Sequence, residues 1–159
     1  MKKLLMVAMM AAGGALISAC SSDFEASDNG CLDGFWHLTH VDTLATGRSG
    51  DVSSRMIFWS IQGGLIELSD RRAVFTDDEP RVPSIFFRFD RNASDELDLL
   101  GDPKPRVNNR VKGDVDVADR MQCGYYGLSD TGETLKILRL EDKRMTLLSD
   151  YFRMYFRKY

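Results

Sequence analysis

Between Gly30 and Thr43 the chain reads GCLDGFWHLTHVDT, which puts His37, His40 and Asp42 within six residues. These side-chain types serve as metal ligands, as general bases, or as a base and the carboxylate that orients it. The neighbouring pattern is that of a strand, whose successive side chains point to opposite faces. On a regular strand Trp36, Leu38, His40 and Asp42 share one face, and Phe35, His37, Thr39 and Val41 share the other. His37 and His40 then point apart and cannot grip one metal ion. The chain has two histidines and three cysteines, with no CxxC or Cys-His spacing to suggest zinc. A Gly-x-Ser-x-Gly elbow or a second catalytic motif is missing too. The expectation is no catalytic residue, no metal and no cofactor, with His40 as a candidate ligand contact.

The elements that position these residues are short. After Gly30, segments rich in aromatic and β-branched residues alternate with Gly, Asp, Asn and Pro, a β pattern. Strands are predicted near 35–43, 55–62, 64–69, 72–76, 84–91, 95–100, 134–140, 145–149 and 151–158. Breaks fall at TGRSGD (46–51), QGG (62–64), DDEPRVP (77–83), RNASD (91–95), SDTGE (129–133) and EDKR (141–144). Residues 101–121 are charged, hold two prolines, and read as one long loop. Eight or nine antiparallel strands must protect their edges, and closure into an up-and-down barrel does so most completely. A β-sandwich is the competing arrangement.

The N-terminus is a separate unit. Lys2 and Lys3 precede an apolar run from Leu4 to Ile17, shorter than the about 20 residues of a membrane-spanning helix. This is the layout of a secretory signal. Its ending, Ile17-Ser18-Ala19-Cys20, resembles the lipobox of bacterial lipoproteins. The resemblance implies cleavage after Ala19, lipidation of Cys20, and a membrane partner through that anchor. Ser21 after the anchor implies an outer-membrane destination in the cell envelope. The expected organisation is a cleaved leader over 1–19, a lipidated N-terminus and polar tether over 20–30, and one domain over 31–159. The chain carries a formal net charge of −3, which gives no electrostatic reason to bind nucleic acid. With Cys20 lipidated, Cys31 and Cys123 remain in an oxidising compartment, where a disulfide between them is expected.

Gly34-Phe35-Trp36 resembles the Gly-x-Trp opening of lipocalins and their small bacterial relatives. The closing stretch LKILRLEDKRMTLLSDYFRMYFRKY (135–159) is similar to the ending of lipocalin-like lipoproteins of gut-type bacteria. That resemblance implies an all-β fold: a lipocalin-like, up-and-down antiparallel β-barrel of about eight strands behind a lipoprotein signal peptide. It implies that Trp36 points into the closed end under a basic side chain, for which alternation selects Lys158. It also implies a non-enzymatic protein holding a small apolar or amphipathic ligand. Leu38, His40, Trp59, Phe87, Phe89 and Tyr125 are the candidate contacts. The same aromatic residues could instead fill a narrow barrel, leaving an envelope module that binds a protein partner. The acidic stretches TDDE (76–79) and DVDVAD (114–119) lack the calcium-loop pattern.

Overall fold

The structure, a computed structural model, describes residues 27, 29–72, 82–93, 95–100, 106–109, 113–116 and 120–159. The leader, Cys20, the 72–76 strand beyond Arg72, and the TDDE stretch lie outside the described residues. Among those described, the strands are β1 (Gly34–Thr43), β2 (Arg48–Asp51), β3 (Ile57–Gln62), β4 (Leu65–Asp70), β5 (Ile85–Ala93) and β6 (Glu96–Leu100). They continue with β7 (Arg106–Asn109), β8 (Gly113–Asp116), β9 (Thr134–Leu140), β10 (Arg144–Leu148) and β11 (Phe152–Lys158), with helix α1 (Arg120–Tyr125) before β9.

Eight strands pair antiparallel in the order β4-β3-β1-β11-β10-β9-β6-β5, and β5 pairs back onto β4 to close the barrel. No sandwich forms. Inward positions carry the apolar residues of each alternating strand: Trp59 on β3, Phe87 on β5, Leu97 on β6, Leu135 on β9, Leu147 on β10 and Phe156 on β11 are all essentially buried. Two segments expected as loops are structured. Part of TGRSGD is β2, which extends the β1 edge beyond β3, and the 101–121 region carries the β7–β8 hairpin and the start of α1.

The two ends of the barrel differ. At the base, a 3-10 turn over Gly30–Leu32 lies across the opening with Leu32 fully buried. Asn29 straps it down, its amide donating to the Gly63 carbonyl at 2.6 Å. Trp36 Nε1 donates to the Leu32 carbonyl at 2.7 Å. Lys158 lies over the Trp36 ring, its Nζ 4.9 Å from the centroid, and donates to the Cys31 carbonyl at 3.1 Å. Such a cation–π contact contributes about 0.5–2 kcal/mol. Gly34 makes room for it: a Cβ there would sit 2.3 Å from Lys158 Cε, and its φ of +142° suits glycine. At the other end, Cys123, Tyr126 and Leu128 are buried as a partial plug. The Tyr126 hydroxyl donates to the Pro83 carbonyl at 3.0 Å.

The expected Cys31–Cys123 disulfide is corrected by this geometry. The two cysteines are not joined. Cys31 belongs to the base and donates to Asp142 at 3.2 Å, whereas Cys123 belongs to the plug at the mouth. The barrel stands between them, beyond the reach of a disulfide.

Candidate functional site

Strand β1 supplies the wall on which the site is built, and its alternation is broken once. Trp36, His37 and Leu38 pair with Lys158, Arg157 and Phe156, but His40 pairs with Tyr155. Thr39 is therefore the extra residue of a β-bulge. Its hydroxyl donates to the Tyr155 carbonyl at 3.0 Å, and its own carbonyl accepts from Val52 N at 3.0 Å. Past the bulge the parity inverts. Val41 packs towards the core and His40 turns out.

The inward placement of His40 is thus corrected. Its side chain is 38% exposed on the outer wall, with the ring edge-on to Tyr155. There it meets Asp42 and Ser49 in a Ser-His-Asp grouping. His40 Nε2 lies 2.6 Å from Ser49 Oγ, and Ser49 Oγ donates to Asp42 Oδ1 at 2.6 Å. The wiring does not fit nucleophilic catalysis. Ser49 has a single proton and gives it to Asp42, so Nε2 donates to Ser49 and cannot serve as its base. Asp42 also approaches this same nitrogen, at 3.3 Å, rather than Nδ1. Hydrogen bonds from Ser49 and then Tyr155 hold the Asp42 carboxyl below the usual carboxylate range. His37 sits apart, buried and stacked on Phe58, with Phe35 and Tyr159 completing an aromatic cover over the outer face of β3. The apolar residues on both faces of 56–61 are explained by this cover from within the chain.

A pocket of about 290 Å³ opens at the mouth. Leu38 and Ile57 form its floor, Val41, Val52 and Phe152 its walls, and Arg48 and Arg55 its rim. Of the ligand candidates named from sequence, Leu38 and Tyr125 line it. Trp59, Phe87 and Phe89 lie in the core with 0%, 0% and 5% exposure. Trp59 packs edge-on against Phe156, two residues along the strand below Ile57 and opposite Trp36. Arg48, Gly50, Val52, Arg55 and Gly127 were not legible as site residues. Arg48 and Gly50 sit in the TGRSGD break, whose content reads as turn, and Arg55 reads as the opening of the 55–62 strand. A broader concavity of about 830 Å³ beside the pocket is walled by Asp130, Glu133 and Asp150.

Tyr125 is held in place from β4. Its hydroxyl donates to Asp70 Oδ2 at 2.7 Å, and Arg72 Nη2 donates to the same oxygen at 2.8 Å. Burial pushes the Asp70 carboxyl up, but the hydrogen bonds from Arg72 and Tyr125 outweigh it and hold the group below its ordinary value. A depressed folded value means that this contribution is whole above the unfolded carboxylate value of about 4 and is lost as pH falls through the folded one. Asp70→Asn should therefore lower the melting temperature at neutral pH and flatten its decline below about pH 4. Parallel acid limbs in the two proteins would show that Asp70 is not a source of the decline.

A closed eight-stranded up-and-down barrel, capped at its base and concave at its mouth, defines a lipocalin-like barrel protein. This chain belongs to the lipocalin-like domain family, whose model matches residues 15–159. The family is generally one of non-catalytic binding proteins. The fold is similar to that of a lipocalin-like protein from Bacteroides uniformis, at 22% identity and a TM-score of 0.56, over 82% of this chain and 100% of that one. It is also similar to an uncharacterized protein from Bacteroides eggerthii, at 20% identity and a TM-score of 0.54, over 80% of this chain and 98% of that one. No curated protein matches the chain.

Proposed function

We propose that this is a lipid-anchored protein of the outer membrane that holds a small apolar or amphipathic molecule in the mouth of its barrel. The observation that carries the reading is the pocket itself. It is concave, floored by Leu38 and Ile57, and bounded by a few polar groups, the composition expected of a small-molecule site. The ligand occupies the mouth rather than the full depth, because Trp36, Trp59 and Phe87 fill the barrel below. Anchoring rests on the Ile17–Cys20 lipobox, which leaves the mouth-bearing domain tethered by the polar stretch that follows.

The packed lower barrel also supports a second reading, an envelope module that binds a protein partner. Native mass spectrometry of the purified protein, after exposure to an extract of envelope membranes, separates the two. A discrete added mass is the expected result. Gly50→Phe should abolish it, since Gly50 faces Val41 across the β1–β2 pairing and an added Cβ there meets nothing within 4 Å, leaving the ring room to enter the pocket. An unliganded mass under every condition would favour the partner-binding module.

A further inference from the structure

We infer that the mouth pocket selects an anionic amphiphile, a single short apolar chain whose carboxylate or similar head is gripped by Arg48 and Arg55. This rests on the ligand-binding reading above and goes further in assigning the head group. The register places the gripping side chains. Val41 pairs with Gly50 and Thr43 with Arg48, so Arg48 shares the pocket-facing side of the β1–β2 hairpin with Val41. Arg55 arrives from the 3-10 turn Ser53–Arg55, two residues before Ile57 on the floor.

The charge that lines this pocket is basic, in contrast to the adjoining concavity with Asp130, Glu133 and Asp150. Among the described residues no carboxylate lines this pocket. Of the nearby acids, Asp70 is ion-paired with Arg72, while Asp42 and Asp51 stay anionic but are directed to the hydroxyls of Ser49, Tyr155 and Ser53 and away from the two arginines. Arg71 is ion-paired with Glu67 and Arg139 with Glu141. Among the described residues, Arg48 and Arg55 have no ion-pair partner. Two unpaired guanidiniums over an apolar floor match an anion carried on an apolar chain, because arginine's planar fork suits carboxylate and phosphate oxygens. The volume, at the lower edge of the about 300–1,000 Å³ usual for ligand pockets, admits one short chain.

Calorimetric titration of the full-length protein with octanoate, 1-octanol and octyltrimethylammonium tests this, since the three share a tail and differ in head charge. Octanoate should bind about tenfold or more tighter than octanol, the cation weakest, and the preference should shrink as salt rises. Arg48→Gln and Arg55→Gln should each cost octanoate about threefold or more and leave octanol within about twofold. Equal binding of octanoate and octanol would overturn the anion assignment while leaving a ligand pocket in place. Failure of all three to bind would overturn the ligand-binding reading itself.

Discussion

Trp36→Ala is expected to destabilise the barrel by about 3–5 kcal/mol, the range for truncating a large buried aromatic. Trp36 is fully buried and closes the base from three directions. Its indole N–H satisfies the Leu32 carbonyl, its face carries Lys158, and its neighbour across the sheet is Trp59. Truncation leaves a cavity, a carbonyl without its donor, and an ammonium without its ring. Trp36→Phe keeps a ring beneath Lys158 but loses the donor. It should cost less, with about 1 kcal/mol of the loss from the hydrogen bond alone. Urea unfolding measures both. A loss under about 1 kcal/mol for the alanine variant would mean that the base is held elsewhere.

The second large effect lies at the mouth. Gly127 has φ +93°, and a Cβ there would stand 2.7 Å from the Sδ of buried Met154 and 4.0 Å from Leu38. A β-branched residue meets both penalties, a backbone conformation it rarely adopts and an overpacked core, for an expected loss of about 2–5 kcal/mol in Gly127→Val. Gly124 is the internal control. It lines the same pocket, and an added Cβ meets nothing within 4 Å. Gly124→Val should change stability by about 1 kcal/mol or less. Equal losses at the two positions would refute the packing argument and point to a general intolerance of the plug.

Much of the barrel is legible in the chain because alternation is a direct imprint of the pleat. Ile57, Trp59 and Ile61, then Ile85, Phe87 and Phe89, then Met154 and Phe156 lie inside as period two predicts. Sequence reasoning fails where pairing rather than composition decides. Thr39 is an ordinary strand residue by type. Only its register against Tyr155 makes it a bulge, and that single slip moves His40 from the cavity to the outer wall. Arg48–Asp51 has the composition of a turn and becomes a strand because the free edge of β1 offers it partners. Two leftover cysteines count as a pair on paper, yet one lies at the base and the other at the mouth. Aromatic content cannot report depth either. Trp59 and Phe87 are core, while the pocket above them is shaped by glycines and arginines.

The bulge at Thr39 separates two kinds of inheritance in one strand. Residues before it are committed to the base, where Trp36 and Leu38 answer to the packing of the whole barrel. Residues after it face the pocket or solvent according to whether Thr39 is bulged out of the ladder or paired within it. Deleting Thr39 would leave His40 opposite Tyr155 and Val41 opposite Met154, a regular ladder that keeps Val41 and Thr43 on the pocket side; drawing Thr39 into the ladder instead would bring His40 and Asp42 inward. The bulge is thus what holds His40 and Asp42 on the outer wall: it lets the strand carry one more residue than its partner while the pocket keeps the side chains of Val41 and Thr43.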